Sequence, residues 1–310
     1  MNMTPHIEEK MTWRDFRNKE LWYVYPMHHV VSFRIVAEHH VKELRKYYKV
    51  QEVPERGFEN IYAYSNPLVI IHPLLYIAGR NLQKFIWLKA RYRKILGVEV
   101  ADSDRVSDLA VHICNLVDGL IVPSTWSKKA YKDSGVIPPI YVVPHGLSKH
   151  FYRKPRTPPR KELQLLHLLK KKKKYIFLLF FLWHSAGRKG ADLVYHTVNK
   201  LCESRNNVVL VLKSSSFSFA QSLAFDKNKT FLISGWLNDD EIVDLYDLCD
   251  IYLLFSRGGG FEINGLEALA RGEIVLAGEK GSWTDYLPKE FLLPIKKWVK
   301  VFNLNPYHIG

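Results

Sequence analysis

Ser256-Arg257-Gly258-Gly259-Gly260-Phe261-Glu262-Ile263-Asn264-Gly265-Leu266-Glu267-Ala268-Leu269-Ala270-Arg271-Gly272-Glu273-Ile274-Val275-Leu276-Ala277 is the stretch on which the fold turns. It follows the apolar run Ile251–Phe255, which reads as a strand. Three consecutive glycines are entropically expensive in an ordered chain, so at a strand exit they imply a close backbone approach. Ile263–Arg271 reads as a helix, and Gly272 is placed to stop it by taking a positive φ. Glu273–Ala277 then resumes as a strand. Strand, loop, helix and strand in this order form one unit of a parallel sheet.

The same alternation extends outward in both directions. Upstream lie strands Ile176–Leu182, Val208–Lys213 and Phe231–Ser234, with helices Asp192–Glu203 and Asp239–Cys249 between them. The amino-terminal half repeats the pattern with strands Leu21–Tyr25, Leu68–Ile71, Val98–Ala101, Gly119–Val122 and Ile140–Val143. Its helices are predicted over Phe33–Tyr47, Val106–Val117 and Ser127–Asp133. Pro155, Pro158 and Pro159 lie among polar residues, which predicts a linker over 151–161. The expected division is therefore 1–150 and 162–310, two α/β domains, and 310 residues are enough for both.

Composition narrows the class. With 47% hydrophobic and 25% charged residues the chain reads as globular. Cys114, Cys202 and Cys249 have neither metal-ligand nor disulfide-framework spacing, which fits a reducing compartment. The most lipophilic run, Tyr175–Trp183, is about half the length that crosses a bilayer. The polar segment before Glu20 lacks the apolar core of a secretory leader, so a cytoplasmic protein is expected, with peripheral contact at the inner membrane face as an extension. A net charge of +14 suits phosphate-rich partners: a nucleotide, an anionic lipid surface or nucleic acid. It is densest at Lys170–Lys174, at Arg153–Lys161, and at Lys84, Lys89, Arg91, Arg93 and Lys94.

Ligands of open parallel sheets bind beyond the carboxyl ends of the strands. Three stretches of the second half fall there. His184-Ser185-Ala186-Gly187-Arg188-Lys189-Gly190 combines two cations, permissive glycines and a following helix amino terminus, a set suited to a diphosphate. Gly235-Trp236-Leu237 puts an aromatic where it can stack on a base or pack internally. Gly258–Glu267 offers Glu262 and Glu267, the latter also able to pair with Arg271 four residues on.

In these loops the chain resembles the retaining glycosyltransferases of family 4, also described as group 1. The resemblance runs over roughly residues 20–290 and is strongest over Ser256–Ala277. Supporting matches are Val122-Pro123-Ser124 with Trp126-Ser127, Pro144-His145-Gly146-Leu147, Lys189-Gly190, and Gly235 before an acidic helix start. It implies a GT-B fold: two Rossmann-like domains facing each other across a deep cleft. It implies a hexosyl transfer from a UDP- or GDP-sugar, with no resident cofactor and no metal. Glu267 then corresponds to the carboxylate on the ribose hydroxyls. Lys189, with Arg188 and Gly190, corresponds to the diphosphate site, and Gly259, Gly260 and Phe261 to the segment that approaches the donor.

The departures are specific. The family's first glutamate, eight positions before Glu267, falls on Gly259, while Glu262 stands where glycine is usual. Glu262 is therefore the expected substitute toward the transferred sugar. An arginine usual about six positions before the lysine is missing, with Trp183 and His184 near its slot. Pro26-Met27-His28-His29 replaces a glycine-rich opening, and little chain follows Leu293 for the family's long carboxyl-terminal helix. On the acceptor side Asp102 and then His112 are the catalytic candidates for positioning the acceptor, which is expected to be a sugar or lipid-linked molecule. Alternatives are a catalytically inactive nucleotide-sugar or nucleic-acid-binding scaffold, and another sugar-nucleotide enzyme such as an epimerase.

Overall fold

The computed structural model describes residues 20–29, 31–58, 67–91, 94–172, 174–183, 185–216, 225–226, 228–302 and 305–310. His184, Arg93 and Lys173, singled out above, lie outside them, as does the polar segment before Glu20. The described chain forms two compact units. The first comprises residues up to Glu99 with Asp108–Val122 and Ser134–Tyr141; the second comprises Val100–Ser107, Pro123–Asp133 and Val142–Gly310.

The first unit is built on β1 (Glu20–Tyr25), β2 (Lys49–Pro54), β3 (Leu68–Ile71), β4 (Lys94–Val98), β5 (Gly119–Val122) and β6 (Ile140–Val142), in the order β2-β1-β3-β4-β5-β6. The registered pairs from β2 through β5 are all parallel. Helices α1 (Ser32–Leu44), α2 (Leu74–Arg80), α3 (Leu82–Lys89) and α4 (Asp108–Cys114) belong to the same unit. Leu21, Tyr23, Tyr25, Ala37, Val41, Ile70 and Val98 form a buried cluster. Strand β2 escapes the hydrophobic reading because it is a half-exposed edge strand of sequence KVQEVP.

The second unit contains α5 (Thr125–Asp133), α6 (Lys161–Lys171), β7 (Ile176–Leu182), α7 (Ala186–Lys189), α8 (Ala191–Ser204), β8 (Val208–Ser214) and β9 (Thr230–Ser234). It continues with α9 (Asp239–Leu248), β10 (Ile251–Leu254), α10 (Ile263–Ala270), β11 (Ile274–Gly278) and β12 (Leu292–Leu293). Its sheet order is β12-β11-β10-β7-β8-β9, with parallel registered pairs throughout. Numbered from β7, this is the Rossmann order 3-2-1-4-5-6, whose direction of winding reverses between β7 and β10. The apolar run of β7 follows from burial on both faces. Phe177 and Leu179 enter one core cluster, whereas Leu178, Phe180 and Leu182 enter the other.

Within the basic stretch 153–161, the three arginines are paired with carboxylates of the same unit. Asp244 on α9 is fully buried and receives Arg153 Nη2, together with Arg156 Nε at 3.0 Å and Nη2 at 3.1 Å. Arg271 and Asp247, both almost fully buried, pair at 2.7 Å. Arg160 donates to the carbonyl of Trp236 at 3.2 Å and stands 3.6 Å from Glu241. A buried carboxylate needs such partners, because an unpaired one is strongly destabilising. Among the described residues, no helix is long and apolar enough to cross a membrane.

Candidate active site

The loops after β7 and β10 meet where the sheet order reverses, the place where open α/β sheets hold ligands. Lys189, the last residue of α7, donates from Nζ to Glu262 Oε2 at 2.6 Å and Oε1 at 2.7 Å. Ser256 Oγ donates to the same Oε1 at 3.0 Å, and Arg188 Nη1 lies 3.7 Å from it. The carboxylate of Glu262 is almost fully buried, whereas Lys189 and Arg188 retain some exposure. Arg188 also donates to the Gly258 carbonyl at 2.7 Å. Arg257 fixes the start of the α7–α8 turn by donating to the Gly187 carbonyl and to Asp192, at 2.6–2.7 Å.

Glu262 is the residue before α10 and takes a left-handed backbone, φ 58° and ψ 60°. Such a conformation costs a non-glycine residue about 1–2 kcal/mol, which explains why glycine is the ordinary occupant of this slot. The same strain aims the side chain back over the loop. A Cβ built on Gly259 would lie 2.1 Å from Glu262 Oε1 and 2.7 Å from its Cδ. The Glu262 carboxyl therefore fills the space that a side chain at position 259 would occupy.

The glycines approach protein rather than open space. A Cβ on Gly258 would meet the Asp102 carbonyl oxygen at 2.1 Å, and one on Gly260 would meet Val100 Cβ at 2.3 Å. Asp102 Oδ1 accepts the Gly260 N–H at 2.9 Å, so the structure places Asp102 as a brace of this loop. The Gly260 carbonyl accepts from Ser124 Oγ at 2.7 Å and Ser127 Oγ at 3.2 Å, which accounts for the Pro-Ser-Thr-Trp-Ser match. Phe261 is buried, its ring 4.9 Å from that of His145 and 5.4 Å from that of Tyr286. His112 is exposed on α4 of the first unit.

Gly190 serves packing. It has φ 74°, and a Cβ there would fall 2.0 Å from the Phe255 carbonyl oxygen. Gly190→Ala is expected to push α7 and α8 off the β10 exit and displace Lys189. The checks are a thermal midpoint lowered by at least about 4 °C, the shift that roughly 1–2 kcal/mol produces, and loss of diphosphate binding. An unchanged midpoint with intact binding would remove Gly190 from the positioning of Lys189.

Glu267 lies on α10 and does not pair with Arg271, which is engaged with Asp247. Its Oε2 accepts from Tyr246 Oη at 2.8 Å and from Asn264 Nδ2 at 3.2 Å. Burial pushes its carboxyl up to about 7, against the pull of those two hydrogen bonds. Gly265 keeps α10 close to β10, since a Cβ there would meet Tyr286 Oη at 2.7 Å and Leu254 Cδ2 at 2.9 Å.

Beyond Glu267 the wall of the site is aromatic. Tyr246 stacks on Phe181 with centroids 5.4 Å apart, and Phe181 is the register partner of Lys213 on β8. The exposed rings of Trp183 and Trp236 meet edge to face at 6.0 Å. Lys213 is buried beneath them, 5.1 Å from the Trp183 centroid, and donates to the Gly235 carbonyl and, at 3.3 Å, to that of Ser214. Burial, with Arg160 nearby, brings its ammonium down to about 8. Sequence reasoning missed Lys213, although a lysine ending the apolar run Val208–Leu212 was the available signal. Among the described residues, no cluster of three or more His, Cys, Asp or Glu side chains is placed to hold a metal ion.

Two Rossmann-like parallel sheets, with paired cations and carboxylates at the reversal point of the second, define a glycosyltransferase-like protein of the GT-B fold. Residues 166–298 match the family described as Glycosyl transferases group 1. The chain belongs to one family with "Uncharacterized protein 356" of Sulfolobus islandicus rod-shaped virus 1, to which it is 38% identical over 94% of its length and 83% of that protein. It is also 31% identical to "Putative glycosyltransferase 45" of Sulfolobus islandicus filamentous virus, over 76% of this chain and 64% of that protein. Among solved structures it is similar in fold to HepE of Anabaena, solved with UDP-glucose, with a TM-score of 0.67 at 15% identity, covering 90% of this chain and 86% of that one. Sucrose-phosphate synthase of Thermosynechococcus elongatus is similar at TM-score 0.65 and 13% identity, with the same coverage.

Proposed function

We propose that the protein is a retaining glycosyltransferase of the family 4 type, moving a hexosyl group from a UDP- or GDP-sugar to a sugar or lipid-linked acceptor. The observation that carries this reading is the Lys189–Glu262 pair at the sheet reversal, with the Glu262 carboxyl standing in the side-chain space of Gly259. The donor diphosphate lies against Lys189 and Arg188, which offset the charge that grows on the leaving group, so the chemistry asks for no metal. Glu262 faces the transferred sugar, where a carboxylate favours the positive charge of an oxocarbenium-like transition state. Glu267 accepts the ribose hydroxyls. A front-face route lets the departing phosphate take the acceptor proton, with Asp102 holding the loop and His112 on the acceptor side.

The two glutamates separate the steps. Glu267→Gln is expected to weaken plain UDP or GDP by about 10-fold or more, since hydrogen bonds to a charged group contribute roughly 1.5–3 kcal/mol each. Glu262→Gln is expected to leave that affinity within about twofold and to lower turnover, with retention read from the anomeric configuration of the product. Equal loss of plain nucleotide affinity in both variants would overturn this division. The pH dependence follows from the Glu267 carboxyl at about 7. Because only the carboxylate accepts two hydroxyl protons, nucleotide affinity should rise as pH passes upward through about 7, and Glu267→Gln should flatten that rise. Stability has the opposite sign. A raised carboxyl holds its proton in the folded state, so its contribution is lost as pH climbs from the unfolded value near 4.5 to about 7.

A further inference from the structure

Lys296-Lys297-Trp298-Val299-Lys300 sets two large apolar side chains among three lysines, in a stretch without regular secondary structure. All five residues are exposed; Trp298 keeps 53% of its surface in water and Val299 47%. Adjacent apolar residues held out in this way are unfavourable unless something covers them. The stretch is anchored at both ends. Before it, the Ile295 side chain fills the space over Gly278, where a Cβ would meet it at 3.2 Å, and the Ile295 N–H donates to Glu279 at 3.1 Å. After it, the Val301 N–H donates to the Gly310 carbonyl at 3.1 Å. Between these anchors the Trp298 ring lies parallel to that of Trp126 on α5, with centroids 6.4 Å apart, and the Lys280 ammonium stands 5.6 Å from its centre. Trp126 in turn lines a groove of about 600 Å³ with Lys128, Lys129 and Lys132 of α5. Lys129 pairs with Asp133; among the described residues, no carboxylate pairs with the other ammoniums of this face.

We propose that this face of the second unit docks on an anionic lipid surface, with Trp298 and Val299 entering the headgroup region and the lysines facing lipid phosphates. Charge complementarity sets the sign of the partner. The apolar pair selects lipid over nucleic acid. Single-stranded nucleic acid stacks its bases on open aromatic faces, and the Trp298 ring is already engaged by Trp126 and Lys280. Val299 offers a phosphodiester chain nothing, whereas it gains by leaving water at a membrane. The surface is argued independently of the sugar-transfer reading, yet it lies beside the same site. Val299, Lys300 and Val301 border a cavity of about 710 Å³ with Gly187 and Arg188. Docking here presents the α7–α8 turn to molecules anchored in the bilayer.

The test is sedimentation of the full chain with vesicles of phosphatidylcholine, alone or with about one-third phosphatidylglycerol. Partitioning should be at least about 10-fold stronger onto the anionic vesicles and should fall as salt passes about 0.15 M, where charges are screened beyond about 8 Å. Lys296→Gln, Lys297→Gln and Lys300→Gln together should weaken it about 30- to 100-fold, since each lysine near an anionic surface contributes about fivefold. The same charge removed at Lys171, Lys172 and Lys174, which are exposed elsewhere on this unit, should cost less than about threefold. Trp298→Ala with Val299→Ala should lower partitioning about 10-fold and leave its salt dependence unchanged, because burial of apolar surface is not screened. Circular dichroism checks the fold of each variant. Equal losses in the two lysine triples would reduce the attraction to diffuse charge and overturn the docking face. So would a failure to bind anionic vesicles, or binding of a single-stranded oligonucleotide through Lys296, Lys297 and Lys300 in their place. None of these outcomes involves nucleotide affinity, so calorimetric titration with UDP and GDP judges the donor reading separately.

Discussion

Replacing Lys189 by alanine is expected to slow sugar transfer by about 10²–10³-fold, the range seen when one preorganised donor to developing negative charge is removed. The same change has a structural cost, because Glu262 is buried and loses both of its short contacts with the ammonium. Ser256 at 3.0 Å and Arg188 at 3.7 Å remain. The expected destabilisation is about 3 kcal/mol, at the lower end for breaking a buried pair. Loss of activity in Lys189→Ala alone therefore mixes chemistry with folding. The double variant Lys189→Met with Glu262→Gln separates them, since it removes the stranded charge together with the cation. Its stability should return to within about 1 kcal/mol of the parent in urea unfolding, with transfer still absent. Free nucleoside diphosphate should also bind more weakly to it. Undiminished diphosphate affinity would place the phosphates elsewhere.

Gly259→Ala should be nearly as damaging to turnover, although it adds one methyl group. That methyl would overlap the Glu262 carboxyl, which would then have to leave Lys189. Turnover should fall by about 10²-fold with plain UDP or GDP affinity kept, because Glu267, the residue proposed for the ribose, is untouched. The informative companion is the exchange Gly259→Glu with Glu262→Gly. It returns a carboxylate to the same space from the other side of the loop, and it releases the left-handed strain at 262, about 1–2 kcal/mol. The exchange should recover at least tenfold of the activity that Gly259→Glu alone loses. If both are equally inactive, the carboxylate at 262 has a role that its position does not capture.

Much of this was legible because the second half writes its fold in short-range terms. The strand Ile251–Leu254, the helix Ile263–Ala270 and the strand Ile274–Gly278 follow the apolar pattern within a residue or two. Lys189 and Glu262 were legible as candidates from chain order. Their mutual bond was not, since it joins residues from two loops brought together by the β7–β10 pairing. The glycines were legible as a close backbone approach; that they approach Val100, Asp102 and the Glu262 carboxyl is something no local pattern encodes. The pairing of the arginines before residue 162 was hidden for a related reason. Their counter-charges, Asp240, Asp244 and Asp247, lie far along the chain on α9.

Those arginines bear on how the second unit can be excised. A fragment beginning at residue 162 would retain Asp244 at the centre of its fold and discard Arg153 and Arg156, the cations that neutralise it. Starting at Lys149 would keep them, yet would still part Gly258 and Gly260 from Val100 and Asp102, the residues they are shaped to fit. The compact unit is assembled from three stretches of chain, so no single cut in the proline-rich connection delivers it. Autonomy here is a property of contacts rather than of contiguous sequence, and a fragment intended to bind nucleotide alone must carry residues 100–107 and 123–133 back to the glycine loop.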